Sequence, residues 1–184
     1  MQLDKRGWRK YIQEKKKVLS IEQRSKQSTN ILSTLELHPL FQSATIVLLY
    51  HSLPDEVQTA EFIRKWSHQK QIVLPVVCGD DLELHLYQGE SSLKTGRFNI
   101  KEPTTPLFQE WNKITLAIIP GVAFDADKNR LGRGKGYYDR LLRKMPNNLY
   151  KIGICFDYQY IKQLPVEDFD IPMDEVLTYT ERTD

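Results

Sequence analysis

Cysteine is scarce in this chain: two in 184 residues, Cys78 and Cys155, far apart. They supply neither a disulfide framework nor a paired-cysteine zinc site, and both follow apolar runs, as buried thiols in a reducing compartment do. The four histidines (His38, His51, His68 and His85) are scattered, which speaks against a histidine metal cluster. No apolar run approaches the roughly 20 residues that a membrane helix needs. Residues 1–20 are basic and amphipathic, without the apolar stretch of a secretory signal. A cytoplasmic protein that does not enter a membrane is therefore expected. Repeats, linkers and low-complexity tracts are also missing. Against a soft prior of about 150 residues per domain, residues 1–184 are expected to form one domain.

Charge is plentiful but unevenly placed. Residues 1–30 carry nine Lys or Arg against three acids, leaving 17 against 21 in the rest and +2 overall. A second basic cluster, within residues 128–144, sets seven cations against Asp139 alone. Two local positive patches on a nearly neutral chain point to an anionic ligand of limited size, with a polyanion as the alternative.

The hydrophobic period alternates between two types. Residues 4–19 predict a helix with Trp8, Tyr11, Ile12, Val18 and Leu19 as its apolar stripe and Lys5 and Arg9 beside it. Ser20 and Gln23 form a capping box that opens a second helix bearing Ile31, Leu32 and Leu35. Runs at 44–50, 71–77, 114–119, 150–155 and 175–180 predict strands, 82–87 alternates as a half-exposed strand, and 56–67 predicts a helix. Residues 88–113 read as loop-rich, and Pro146 ends a short helix carrying Tyr137, Tyr138, Leu141 and Leu142. Strands alternating with helices predict an α/β fold: a mostly parallel sheet with helices on both faces.

The segment richest in chemistry is Arg130-Leu-Gly-Arg-Gly-Lys-Gly-Tyr-Tyr-Asp139. Three glycines at alternate positions, Gly132, Gly134 and Gly136, let the backbone approach a ligand closely. Arg133 and Lys135 sit between them, and a helix follows at once. Free backbone N–H groups, a helix N-terminus and two cations make a phosphate cradle suited to a phosphoryl group in transit. The segment is not a Walker A loop, because Gly136 follows Lys135 where Ser or Thr is required. Nor is it a dinucleotide fingerprint, since Tyr137 occupies the place of its third glycine.

Together with Pro120-Gly-Val-Ala-Phe-Asp125, that string resembles the signature of the 5-formyltetrahydrofolate cyclo-ligases, also called methenyltetrahydrofolate synthetases. Lys5-Arg-Gly-Trp-Arg9, Tyr50-His-Ser-Leu-Pro-Asp-Glu-Val-Gln-Thr59 and Asp170-Ile-Pro-Met-Asp-Glu-Val176 are similar to three further family motifs, in the same order. The segment Gly96-Arg-Phe-Asn-Ile-Lys-Glu-Pro103, where relatives vary, departs from the pattern, so carry-over there is weak.

The resemblance implies a fold similar to sugar-phosphate isomerases and CoA transferases. It also implies a ligase that uses ATP and Mg²⁺ to turn 5-formyltetrahydrofolate into 5,10-methenyltetrahydrofolate, releasing ADP and phosphate after phosphorylation of the formyl oxygen. It places Lys5, Arg9, Arg130, Leu131, Gly132, Arg133, Gly134, Lys135, Gly136, Tyr137 and Tyr138 at ATP, with Arg133 and Lys135 catalytic. His51, Glu56 and Tyr137 would face the folate, and Asp139 and Asp174 would hold Mg²⁺. Glu56 is chemically apt, since a carboxylate accepts paired hydrogen bonds from a pterin's amino group and ring N–H. Phe98 is either a stacking partner for the folate or a core aromatic. The partners expected are ATP and a reduced folate, with no nucleic acid, on a monomer. Two other readings compete: a nucleic-acid-binding module built on the two basic clusters, and an enzyme acting on a phosphosugar.

Overall fold

The structure is a computed structural model that describes residues 3–96 and 100–179. Five runs rich in β-branched and aliphatic residues pair in parallel: β1 (Ile46–Leu48), β2 (Gln71–Cys78), β6 (Leu116–Ile119), β9 (Tyr150–Cys155) and β11 (Glu175–Thr178). The alternating β3 (Asp81–Leu86) returns antiparallel to β2 and completes a six-stranded sheet in the order β11-β9-β6-β1-β2-β3.

Successive strand residues point to opposite faces, and both faces are covered. On one face Val47, Ile72, Leu116, Ile118 and Ile152 pack with Ile31 and Leu35 of α2 (Ile21–Leu37), Phe41 of α3 (Pro39–Ser43) and Phe62 of α4 (Ala60–Trp66). On the other, Leu48, Val73, Ala117 and Ile119 meet Leu141 and Leu142 of α5 (Tyr137–Lys144). Each Val, Leu, Ile or Phe among them, fully buried, contributes about 1.5–3 kcal/mol relative to exposure. The Ser20–Gln23 capping box forms as expected, in both directions.

The chain leaves β1 on one side for β2 and returns on the other as β6. This switch in direction opens a crevice beyond the carboxyl ends of β1 and β6, the place where sheets of this kind bind ligands. A small second sheet, β10-β7-β8, stands close by: β7 (Ala123–Asp125), β8 (Arg130–Leu131) and β10 (Tyr160–Ile161). The helix α1 (Lys5–Lys16) lies across it, burying Ile12 against Ala123, Leu131 and Leu164.

Cys155 is buried as expected, but Cys78, at the end of β2, is exposed, and four further sequence expectations need correction. First, the helix expected from Glu56 begins only at Ala60. The Thr59 N–H is given to Ser52 Oγ at 3.1 Å and the Thr59 hydroxyl to the Tyr50 carbonyl at 2.5 Å, which folds residues 50–59 into a loop instead. Second, α1 stops at Lys16, and Val18 is exposed rather than part of an apolar stripe. Third, residues 88–113 contain a hairpin of β4 (Leu93–Thr95) and β5 (Lys101–Pro103). Fourth, α3 and the small sheet have no counterpart in the sequence reading. Their elements run only two to five residues and owe their form to tertiary contact. Phe98 lies outside the described residues.

Candidate active site

The turn between β7 and β8 aims the glycine loop. Asp125, fully buried, accepts the Asn129 N–H at 2.9 Å, the Asn129 Nδ2 at 3.0 Å and the Leu164 N–H at 2.8 Å. Gln159, also buried, donates to the carbonyls of Gly121 and Val122, each at 3.0 Å. At the loop's far end Gly136 caps α5 in the left-handed region (φ 67°), and Gly134 has φ 97°. Side chains rarely adopt such angles, so glycine is required at both. Among the described residues, no backbone N–H of residues 132–136 donates to another backbone group. The first-turn amides of α5 add to these. Together they form a concave array of donors where the helix dipole is positive.

Two cations hold the loop by its carbonyls. The Arg9 Nε–H donates to the Gly132 carbonyl at 2.8 Å, and the Arg140 Nη1–H to that of Lys135 at 2.9 Å. Arg140 also reaches Asp81 and the Asp80 carbonyl in the β2–β3 turn, tying the loop to the main sheet. These bonds use the loop's carbonyls and leave its amides without backbone partners among the described residues. Lys135 is exposed, and no carboxylate among the described residues pairs with it.

Arg133 crosses from the loop to the segment after β1. Its Nη2 donates to Asp55 Oδ1 at 3.0 Å and to Glu56 Oε1 at 3.1 Å. Glu56 is buried, with Oε2 accepting the Leu53 N–H at 2.9 Å. Burial raises its pKa above the ordinary glutamate value; the Leu53 N–H and Arg133 offset part of that rise. His51 is partly buried, its Nδ1 is without a partner among the described residues, and burial pushes its pKa down. It therefore stands neutral at physiological pH, with a ring nitrogen to offer to a ligand. Burial, joined by the nearby Glu56 charge, drives the Tyr138 phenol far above its usual pKa, so its proton stays on.

The remaining expected site residues take varied positions. The Leu131 side chain belongs to the small core under α1. Arg130 is buried and pairs with Asp139 Oδ2 at 2.9 Å, its guanidinium over the Tyr138 ring. Tyr137 reaches the Gly79 carbonyl at 3.4 Å, with Arg140 over its ring. Lys5 does not contact the loop. It pairs at 2.6 Å with both Glu167 and Asp170, whose charges outweigh its burial and raise its pKa. Asp174 sits at the foot of β11, bound to Lys151 through both Nζ (2.6 Å) and N–H (2.7 Å). Asp139 also accepts the Ile171 N–H at 3.3 Å. Among the described residues, no three His, Cys, Asp or Glu side chains converge as a metal cluster.

The sequence reading gave no role to Lys16, Asp55 or Arg140, because charged residues in a loop or on a helix face read as solvated. The one available signal was the place of Asp55 beside Glu56 in a single motif.

Among the described residues, a glycine loop whose amides lack backbone partners, an unpaired Lys135 and a buried carboxylate meet at the switch point of a parallel sheet, the place where α/β enzymes bind their ligands. The comparisons with known proteins give that class a family. Residues 1–179 match the 5-formyltetrahydrofolate cyclo-ligase family, and the chain belongs to it. The chain is 30% identical to the mouse 5-formyltetrahydrofolate cyclo-ligase, over 94% of this chain and 92% of that one. It is 31% identical to the enzyme of that name from Escherichia coli K12, over 91% and 96%. The solved structure of Aquifex aeolicus 5,10-methenyltetrahydrofolate synthetase superposes with a TM-score of 0.84 at 33% identity, covering 95% of this chain and 89% of that one.

Proposed function

We propose that this chain closes the ring of 5-formyltetrahydrofolate with ATP, and that the glycine loop carries the phosphoryl transfer. The observation behind this is the set of unengaged amides at residues 132–136 beside Lys135, next to a crevice where Arg133 meets Glu56. A formyl amide carbon is a poor electrophile, because nitrogen feeds its lone pair into the carbonyl, and its oxygen is a poor leaving group. Attack of that oxygen on the γ-phosphorus breaks the bond to the β-phosphate oxygen and releases ADP. The second folate nitrogen then bonds to the activated carbon and loses its proton. The C–O bond breaks, and phosphate departs.

The protein's part is to position two reactants and to stabilise charge on oxygen. Loop amides would hold the triphosphate, with Arg133 and Lys135 at the oxygens that gain charge. Glu56 would pair with the pterin, His51 would offer a ring nitrogen beside it, and Tyr138, keeping its proton, would line the wall between them.

The donors present fit a metal carried by the nucleotide. A carboxylate has about four lone-pair directions, and Asp139, in the first turn of α5, gives one to Arg130 and one to Ile171. Asp139 would hold Mg²⁺, and Asp174 would join it only by leaving Lys151. Bound there, Mg²⁺ supplies positive charge to the phosphate oxygens. The reading is of a monomer, acting in the cytoplasm. Among the described residues no helix is long and apolar enough to cross a membrane.

The direct assay mixes protein, ATP, Mg²⁺ and 5-formyltetrahydrofolate and follows the near-ultraviolet absorbance of the methenyl product. Turnover is expected only with all components present. No signal at micromolar protein would contradict the reading. Binding that ignores ATP and collapses with salt would favour a nucleic-acid module instead.

Glu56 gives a pH signature. A raised pKa in the folded state means that Glu56 holds its proton to a higher pH than a free glutamate does. Folding stability therefore falls as pH rises from the unfolded pKa through the folded one, the reverse of the usual carboxylate trend. Folate pairing needs the ionised form, so KM for the folate should climb as pH drops through that raised value. Glu56→Gln should raise KM about tenfold or more and flatten the pH dependence of KM, measured from pH 4.5 to 8. A variant retaining the wild-type pH profile would remove Glu56 from folate binding.

A further inference from the structure

Arg133 follows Gly132 and precedes Gly134, whose φ is 97°. A side chain on so permissive a backbone has no intrinsic aim and needs an outside anchor. Two carboxylates provide one, both through a single nitrogen, Nη2. Among the described residues, Nε and Nη1 have no protein acceptor, so one edge of the guanidinium fork stays open to an incoming oxygen.

The two anchors are not equivalent. Glu56 is the carboxylate that a pterin would occupy, and its second oxygen is committed to Leu53. Asp55 has no such ligand. Its Oδ1 takes Arg133 at 3.0 Å, and its Oδ2 takes Lys16 Nζ, at the end of α1, at 2.9 Å. Lys16 thus fixes the carboxylate from behind while Arg133 is held in front. Burial works against the Asp55 charge, but the two cations more than reverse this and keep its pKa below the ordinary aspartate value.

We infer that Asp55 is the positioning residue for Arg133: it ties α1 to the glycine loop and keeps the guanidinium aimed at the reacting oxygens after the folate has taken Glu56. This rests on the role given to Arg133 above. Asp55 itself touches neither ATP nor folate. Its loss should therefore appear in kcat, with KM for the folate little changed.

The test is a kinetic cycle of Asp55→Asn, Arg133→Gln and the double variant, with KM for both substrates and a melting curve for each protein. Expected are a fall in kcat of about tenfold for Asp55→Asn, a KM for the folate within twofold of wild type, and no added loss when Arg133 is already Gln. Asp55→Glu, which retains the charge, should recover most of the activity. If Asp55→Asn does not fold, Asp55→Ser, which also removes the charge, runs the same cycle. An equal loss in the Arg133→Gln background would make Asp55 merely structural and overturn the inference. Unchanged or raised kcat for Asp55→Asn, with Arg133→Gln impaired, would overturn it while leaving Arg133 its role. Near-normal Arg133→Gln would remove the reading of Arg133, and this inference with it.

Discussion

Lys135→Ala should lower kcat by about 10²–10³-fold while the protein melts where wild type does. The side chain is exposed and pairs with no carboxylate among the described residues, so removing it breaks no described ion pair. Exposed substitutions of this kind usually move stability by less than about 0.5 kcal/mol. The loop's shape is held by other means: Arg9 on the Gly132 carbonyl, Arg140 on the Lys135 carbonyl, and left-handed glycines at 134 and 136. What the variant lacks is an exposed positive charge beside the loop amides. Steady-state kinetics beside a melting curve separates the two effects. A kcat within twofold of wild type would show that the phosphoryl group passes elsewhere.

Asp125→Ala should cost about 3–5 kcal/mol of stability. Its carboxylate is fully buried and accepts three N–H donors, two of them backbone groups of Asn129 and Leu164. Each donor left buried and unmet costs about 1–3 kcal/mol. For a domain of this size each kcal/mol moves Tm by about 2–4 °C, so a fall of roughly 10 °C is expected by calorimetry. Activity should fall as well, since these bonds hold the turn from which the glycine loop projects. Asp125→Asn, with one acceptor oxygen kept, should fall in between. A loss under about 1 kcal/mol would mean that water reaches those amides.

The central strands were legible because parallel strands covered on both faces are dominated by apolar residues, and the runs ending at Tyr50, Val77, Ile119 and Cys155 carry polar residues (Thr45, Gln71, Thr115 and Lys151) only in their first two positions. The capping box at Ser20 and the end of α5 near Pro146 were legible too, since both depend on neighbours a few residues apart. The glycine loop could be read from its alternating glycines, because the positive φ angles at Gly134 and Gly136 favour glycine. The start of α4 could not, because Thr59 exchanges its helical hydrogen bond for one to Ser52. Ion partners were the least legible part. Lys5 and Arg9 sit one turn apart on α1, yet one meets Asp170 and the other the Gly132 carbonyl, from segments more than 120 residues away. Similarly, Asp174 lies in a motif with Asp170 but bonds to Lys151 through the pairing of β9 with β11. Such choices depend on which distant segments the sheet order brings together, and a linear pattern carries no record of that.

The most direct test of phosphoryl transfer to the formyl oxygen is to follow that oxygen. Substrate carrying ¹⁸O in the formyl group, turned over once with ATP, should yield inorganic phosphate bearing the label, read by mass spectrometry. Unlabelled phosphate, with the label released into water, would contradict the account at its centre.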